Sequence, residues 1–538
     1  MKYLVSVIFL FFSICEANIF AQSSTTRDQF YPDACTSITV GKKASYDGSV
    51  MTSHTDDSHR SRAWMDIQPA EKHKPEDNIT MYKRTSTDSL TMPAYKHTPI
   101  GSIPQVKATH GYINTAYPCM NDAQLAIGES TFGGRSCLKS DEGLIDCQRL
   151  CMLLLQRCAT ARGAIETAGK LLEQYGWNDA GECLTIADKQ EVWHLEIVGP
   201  GKGNVGAIWA AQRVPDDEIS VNANASRIME IDIDNPDYFM ASDNIFDMAR
   251  DSAWYNPEKE SFRFAYAYAP SSRQSVAARR REWRVFDLLA PSLKLSPTAE
   301  NYPFSVKPDK KVTLQDIVSV FKDYFQGTPY DMRRNITTTN EEGKEIISPL
   351  ANPFMPYDEL DIMDVSGGWY HVSDDGHIRF LGERTIARWY TMYGTITQSR
   401  DWMPDDVGGV VWLAQDNIAT SIYIPVYCGV TDVHESYKVP ARKTGYTMES
   451  AWWAFNRLGT LTAQRWGDMH KDVDAVWGPM QNVLFDKQKD FEKNVANIKS
   501  KTKRREKLTD YTVKQGGKVV KKAIELGDML WTKYDEKF

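Results

Sequence analysis

Beyond its first 21 residues the sequence contains no apolar run long enough to cross a membrane, so we expect no integral membrane segment there. Basic residues are not in excess, since the formal net charge is −8. That balance argues against nucleic acid as a partner. No internal repeat is visible.

Signatures of two common hydrolase classes are also missing. The ten histidines do not cluster, and His434-Glu435 is not followed by the second histidine of a zinc protease motif. No Gly-x-Ser-x-Gly elbow of a serine hydrolase is present. We therefore expect no metal and no organic cofactor.

A glycine motif at 201–206 matches the GxGxxG string of dinucleotide-binding proteins. In those proteins the motif opens a helix whose N-terminus binds the pyrophosphate. Here residues 207–214 form a strand-like run that complements 191–198. The glycines are therefore interpreted as a hairpin loop.

The first 21 residues have the pattern of a secretory signal peptide. Lys2 precedes a short apolar stretch at 3–14, and Ala21 provides a small residue at its exit. The stretch is too short to span a bilayer, and Ile14 before Cys15 does not fit a lipoprotein signal. We predict cleavage after Ala21 and an exported protein, either periplasmic or extracellular at the cell surface.

The apolar content of 42% is sufficient for a large core. Hairpins of strands, then a helix, then further strands favour an antiparallel α+β fold over a doubly wound one. A basic stretch at 487–522 is interpreted as a solvated helix face. The main predicted elements are a hairpin of strands 36–41 and 49–54 around Asp47-Gly48, a helix at 146–175, strands 191–198 and 206–214, a helix at 279–289, and helical structure from about 448.

Of the 9 cysteines, Cys15 lies in the predicted signal peptide. Cys147, Cys151 and Cys158 share one face of the predicted helix. No histidine completes a zinc ligand set around them, so packing toward the core is the favoured interpretation. Disulfide pairing stays open.

Cys35 is the strongest candidate for chemistry. It lies shortly after the predicted signal peptide and directly before the first predicted strand. A cysteine at the N-terminus of a mature chain carries both a thiol and a free amine. The thiolate is the nucleophile, and the amine, with a pKa of about 8, can act as its base.

Several motifs occur in order along residues 35 to about 470: Cys-Thr-Ser-Ile (35–38), Val-Gly-Lys-Lys-Ala-Ser (40–45), Asp-Gly-Ser (47–49), Asp-Asp (56–57), Trp-His-Leu-Glu (193–196), Arg-Val-Pro-Asp-Asp (213–217), Asn-Ala-Asn-Ala-Ser-Arg-Ile (222–228), Arg-Glu-Trp-Arg (281–284) and Gly-Thr-Pro-Tyr-Asp (327–331). Together they resemble the dipeptidase A family of cysteine-type N-terminal nucleophile hydrolases, which are related to bile salt and penicillin acylases.

This resemblance implies a four-layer αββα sandwich of two antiparallel sheets, with a helical C-terminal extension. It also implies removal of a propeptide and hydrolysis of dipeptides through a thioester. The resulting organisation is a signal peptide at 1–21, a propeptide at 22–34, a catalytic domain at 35–470 and a basic helical segment at 471–538.

Catalytic roles follow from the same resemblance. Cys35 matches the nucleophile, and Asp57 matches the acid that holds the N-terminal amine. His54 stands where the related acylases have arginine. Arginine is always charged, whereas histidine titrates near neutral pH, so the local electrostatics should differ.

Further matches concern the donors to the oxyanion and an arginine near the nucleophile. Asn224 corresponds to the oxyanion-hole asparagine, with Asn222 as a close competitor. Thr131 falls near the second oxyanion donor. Arg281 corresponds to the arginine near the nucleophile, with Arg280 as the alternative.

A dipeptidase must also bind a free ammonium and a free carboxylate at a fixed separation. Glu129 or Asp56 is expected to bind the ammonium, and Arg281 or another arginine the carboxylate. Two alternatives stay open: an acylase of N-acyl amides, and a non-catalytic exported binding protein. Side-chain preference and oligomeric state are also open, a homo-oligomer being one option.

Overall fold

The structure, a computed structural model, describes residues 33–87, 94–354, 369–372, 378–441 and 445–537. The predicted signal peptide at 1–21 lies outside these residues. Of the predicted propeptide at 22–34, only Asp33 and Ala34 are described. In the described part of the chain, no helix combines the length and apolar character needed to cross a membrane.

The strands have the following bounds in chain order: β1 Ala34–Val40, β2 Met51–Asp57, β3 Asp66–Gln68, β4 Asn78–Thr87, β5 Ala94–Pro104, β6 Tyr112–Asn114, β7 Met120–Asn121, β8 Ala126–Phe132, β9 Gly181–Ala187, β10 Val192–Val198, β11 Ile208–Val214, β12 Ile219–Asn222, β13 Phe239–Ala241, β14 Ser305–Val306, β15 Thr337–Thr339, β16 Glu345–Ile347, β17 Trp369–Val372, β18 Ile378–Gly382, β19 Thr391–Gln398, β20 Val410–Gln415 and β21 Ile424–Tyr427.

Two large sheets contain most of these strands. The first has the order β14-β12-β1-β2-β19-β20-β21, and the second has the order β13-β11-β10-β9-β8-β7-β6-β3. All strand pairs in both sheets are antiparallel. Three hairpins, β4-β5, β15-β16 and β17-β18, form separate two-stranded sheets.

The α-helices have these bounds: α1 Cys147–Arg157, α2 Ala161–Tyr175, α3 Ile245–Asp251, α4 Phe264–Tyr268, α5 Pro270–Gln274, α6 Val276–Leu289, α7 Leu314–Phe321, α8 Asp405–Gly408, α9 Ala451–Gln464, α10 Trp466–Ala496 and α11 Lys501–Lys533. The predicted α+β class, with antiparallel sheets and a helical C-terminal region, is therefore confirmed.

Apolar side chains pack each sheet against its own helices. The first sheet shares a core with α6, α7 and α9–α11, and the second shares one with α1 and α2. Between the sheets, apolar side chains of the second sheet such as Met120 and Val192 join the core of the first, and polar contacts lie beside them. Thr52 Oγ1 lies 2.6 Å from Thr185 Oγ1, and Thr39 Oγ1 lies 3.1 Å from His194 Nε2.

Strand periodicity explains how β1 contacts both the helix-packed core and the second sheet. Successive side chains of a strand point to opposite faces. Ile38 and Val40 accordingly join the helix-packed core, while Ser37 Oγ donates to the carbonyl oxygen of Glu129 on β8 over 2.8 Å. Cys35 shares the parity of Ser37 and also faces the second sheet.

The hairpin of β1 and β2 confirms the prediction made from the Asp-Gly turn, as Val40 pairs with Met51. The hairpin of β10 and β11 is also confirmed, so the glycine motif at 201–206 lies in a loop between two strands.

The single helix predicted at 146–175 is wrong, because two helices, α1 and α2, occupy this stretch. Asn121 Nδ2 donates to the carbonyl oxygens of Leu155 and Cys158 over 2.8 and 2.7 Å. Thr160 then caps α2 through its side chain. A residue distant in sequence thus satisfies the carbonyls that a continuous helix would have used.

Candidate active site

Cys35 is the second residue of β1 and pairs with Asp56 of β2. Its side chain is buried, and the thiol donates to Glu129 Oε1 over 2.9 Å. Burial, followed by the negative charges of Glu129 and Asp56, raises the pKa of the Cys35 thiol well above its ordinary range. With the Ala34–Cys35 bond intact, the thiol is therefore protonated.

Glu129 also contacts His54, whose Nε2 lies 2.9 Å from the same Oε1 atom. Tyr117 and Tyr393 meet the imidazole edge-on, at ring-centre distances of 5.6 and 5.7 Å. Burial raises the pKa of the Glu129 carboxyl, but the charge of His54 and the hydrogen bonds of His54 and Cys35 lower it, and the pKa is lowered overall. His54 thus contacts Glu129 where the related acylases have arginine.

Both the N–H and the carbonyl oxygen of Cys35 are hydrogen-bonded to side chains of the site. Its N–H donates to Asn224 Oδ1 over 3.2 Å, and its carbonyl oxygen accepts from Arg281 over 2.7 Å. Arg281 donates in addition to Asn224 Oδ1 over 2.8 Å. One guanidinium therefore fixes both the nucleophile's carbonyl and the asparagine beside its nitrogen.

Asn224 adopts a left-handed backbone conformation, with φ of 60°, which asparagine tolerates better than most residues. Its Nδ2 donates to the carbonyl oxygen of Thr131 over 2.6 Å, and its backbone N–H donates to Ser130 Oγ over 2.8 Å. The hydroxyl of Thr131 donates to Glu182 over 2.8 Å. Both oxyanion candidates are therefore engaged in hydrogen bonds while the Ala34–Cys35 bond is intact.

Asp57 lies opposite Ala34 in the hairpin. Its carboxylate is bound by the Arg384 guanidinium and by the Thr391 hydroxyl, so it is positioned beside the chain that precedes the nucleophile. Asp56 is buried next to it. Burial, and then the charges of Glu129 and other acids, raise the pKa of the Asp56 carboxyl well above its ordinary range.

Arg280, the alternative to Arg281, has a different location. Its guanidinium lies over the ring of Tyr330 and 3.6 Å from Glu383. Asn222, the competitor of Asn224, donates to the carbonyl oxygen of Ala225 over 2.9 Å. The geometry thus brings Arg281 and Asn224 to Cys35 in preference to these two neighbours.

Among the residues that the structure describes, two groups of side chains present atoms that could hold a metal ion. One is Cys35, His54 and Glu129, and the other is Glu129, Cys147 and Glu182, with ligand atoms within 4.8 Å of one another in each. Sulfur and nitrogen ligands of this kind suit zinc. The expected absence of a metal cofactor stays a prediction.

Sequence reasoning missed three residues of the site. Ser130 donates toward the Cys35 carbonyl oxygen over 3.4 Å, Glu182 lies beside Glu129, and Arg384 pairs with Asp57. Ser130 and Glu182 lie on the observed strands β8 and β9, where an acid facing inward is a usable signal. Nothing local marks Arg384, because its partner is 327 positions away.

Comparison with known proteins identifies the family that this chain matches. Residues 34–478 match peptidase family C69. The chain is 26% identical over 463 residues to a probable dipeptidase of Latilactobacillus sakei, covering 83% of this chain and 85% of that protein. It is 26% identical over 510 residues to probable dipeptidase B of Lactococcus lactis, covering 92% and 96%.

A third relative is dipeptidase A of Lactobacillus helveticus, 23% identical over 510 residues that cover 91% of this chain and 95% of the relative. The family match takes in Cys35, Glu129, Asn224 and Arg281, the residues that meet at the site. This chain belongs to peptidase family C69 and is a peptidase.

Proposed function

We propose that this protein is an exported dipeptidase that cleaves its own Ala34–Cys35 bond and then uses Cys35 as an N-terminal nucleophile. The observation that carries the proposal is the convergence on Cys35 of Glu129, Asn224 and Arg281, from three separate parts of the chain. The names of the relatives in family C69 supply the substrate class.

The reaction with a dipeptide would begin with transfer of the thiol proton to the free amine of Cys35. The thiolate attacks the peptide carbonyl, the protonated amine gives its proton to the leaving amino acid, and water then hydrolyses the thioester. Cleavage of the Ala34–Cys35 bond turns the Cys35 N–H, now hydrogen-bonded to Asn224, into this amine.

Asn224 and Thr131 are the oxyanion donors in this proposal. In the uncleaved chain Asn224 Nδ2 donates to Thr131, so the amide must change partner to reach an oxyanion. Each oxyanion donor is worth about 3 kcal/mol in the transition state. Arg281, which contacts the Cys35 carbonyl, adds positive charge next to the reacting group.

The buried acids next to Cys35 suit a substrate with a free amine. Glu129, whose pKa is lowered, lies 2.9 Å from the Cys35 thiol, so the ammonium of a dipeptide would find negative charge there. An N-acyl amide has no such cation to bind. This acidic surrounding supports a dipeptidase over an acylase.

The proposal extends to the fold and location. Two facing antiparallel sheets with helices packed on each are consistent with the four-layer αββα sandwich of N-terminal nucleophile hydrolases. The pattern of residues 1–21 supports export to the periplasm or cell surface, with 22–34 as the propeptide.

Intact-mass measurement of the wild type beside Cys35→Ala tests the proposal. We expect the wild-type chain to begin at Cys35 and the variant to keep the residues before it. A panel of dipeptides, tripeptides and N-acyl amides then tests the substrate class, with hydrolysis confined to dipeptides. Wild-type chains that are active while still uncleaved before Cys35 would contradict the self-cleavage, and a preference for N-acyl amides would contradict the dipeptidase.

A further inference from the structure

The self-cleavage lacks the base that serves the mature enzyme. While Ala34 and Cys35 are joined, the nitrogen of Cys35 belongs to a peptide bond, and its single hydrogen points to Asn224 Oδ1. An amide nitrogen of this kind does not accept a proton at ordinary pH. The thiol proton must therefore pass to another group during the first cleavage.

Glu129 Oε1, at 2.9 Å, is the acceptor to which the Cys35 thiol donates. The carboxylate is fixed from two sides, by His54 Nε2 at 2.9 Å and through its backbone carbonyl, which accepts from Ser37 Oγ. We infer that Glu129 accepts the thiol proton when the uncleaved chain cuts its own Ala34–Cys35 bond, an inference that rests on the proposed function.

The surroundings determine which carboxyl in this cluster is ionised. Burial and then the charge of Glu129 raise the pKa of the Glu182 carboxyl well above its ordinary range, whereas the pKa of the Glu129 carboxyl is lowered. These opposite directions make Glu129 the ionised member of the pair. The titratable groups that interact with Glu129 in the described part of the chain include Cys35 on β1, His54 and Asp56 on β2, Glu182 and Cys183 on β9, Cys147 on α1 and Tyr117 before β7.

Every proton and bond in this step is accounted for by Glu129, Cys35, Ala34 and water. Glu129 takes the proton from Sγ, and the sulfur attacks the carbonyl carbon of Ala34. The bond between that carbon and the Cys35 nitrogen breaks as Glu129 returns the proton to the nitrogen. This leaves a thioester and a free amine, and water then hydrolyses the thioester, releasing the carboxyl group of Ala34 and the thiol of Cys35.

Maturation of the full chain, produced by cell-free translation and followed by intact mass, tests the inference. Glu129→Gln keeps the size of the side chain and removes the proton acceptor, so we expect maturation about a hundredfold slower than in the wild type. Glu129→Asp should recover part of that rate. Glu383→Gln makes the same change at a buried glutamate outside this cluster and should mature at the wild-type rate.

A second variant keeps the inference testable if Glu129→Gln does not fold, which circular dichroism would reveal. His54→Gln retains a hydrogen bond to Glu129 without the positive charge that lowers the pKa of that carboxyl. The pH midpoint of the maturation rate should therefore rise by about one unit. A purely structural role of His54 would change the rate without moving the midpoint.

The outcomes separate this inference from the proposed function. Folded Glu129→Gln that matures within about threefold of the wild type, or an unmoved midpoint in His54→Gln, overturns the role of Glu129 and leaves the dipeptidase standing. If Cys35→Ala also loses the residues before position 35, the self-cleavage itself is wrong.

Discussion

Arg281 donates a hydrogen bond of 2.7 Å to the carbonyl oxygen of Cys35, although 246 positions separate the two residues. The guanidinium is buried and reaches Thr36 Oγ1 and the Ala223 carbonyl as well. It therefore links helix α6 to the strand that carries the nucleophile and to the loop that carries Asn224.

Replacing this guanidinium should impair catalysis more than folding. Arg281→Lys keeps the charge but cannot reach all four acceptors at once, so we expect kcat/KM for a dipeptide to fall by about a hundredfold. Arg279→Lys is the matched control, because Arg279 lies on the same helix and, among the described residues, its side chain hydrogen-bonds to the Ala299 carbonyl and not to Cys35. Equal activity of the two variants would contradict the role of Arg281.

The Asp57–Arg384 pair should contribute to stability through its burial. Asp57→Asn would leave the Arg384 guanidinium buried without a counter-charge, which costs about 3 kcal/mol or more. Asp401→Asn, at the more exposed pair with Lys42, should cost less than about 1 kcal/mol. Urea denaturation of the wild type and the two variants measures both changes in unfolding free energy. Similar changes in the two variants would show that burial of the ion pair does not determine its contribution.

Glu383 should make stability depend on pH. Burial raises the pKa of its carboxyl to about 7, and Arg280 offsets this only in part. Because the folded protein holds this proton at a higher pH than the unfolded chain, the stability contribution is fully present below the unfolded pKa of about 4.5. It is lost as pH rises to about 7.

Glu383→Gln should flatten the fall in unfolding free energy over that pH range, as measured by urea denaturation at several pH values. Glu435→Gln is a suitable control, since its carboxylate is 82% exposed. If the wild-type pH dependence of the unfolding free energy persists in Glu383→Gln, another titratable group causes it.

The C-terminal helix should be part of the core and not an appendage. Leu530 of α11 is fully buried, whereas its neighbour Met529 is 36% exposed. Leu530→Ala should reduce the unfolding free energy by about 2 to 5 kcal/mol through the cavity it leaves. Met529→Ala should change it by about 0.5 kcal/mol or less, and equal effects in thermal unfolding would contradict the packing of α11 on the sheet.

The boundary predicted at 470 illustrates how composition and packing differ. The basic residues of 487–522 predict a solvated helix face, and exposed lysines do lie there. Yet α10 runs through residue 470, and Arg400 beside the first sheet pairs with buried Glu492 over 2.7 Å. A charge pattern predicts which face of a helix is exposed to solvent, but it does not predict how tightly the opposite face packs against the protein.

The sequence by itself determined the hairpin that carries Cys35, because alternating strand residues around an Asp-Gly turn are a local pattern. It also determined the family, because the motifs recur in order along the chain. Only the tertiary structure decided which groups meet Cys35. Glu129 and Arg281 lie 94 and 246 positions from Cys35, and only the facing of two sheets and the docking of a helix bring them within hydrogen-bond distance. The break between α1 and α2 has the same origin, since the side chain of Asn121 satisfies carbonyls that no local pattern marks.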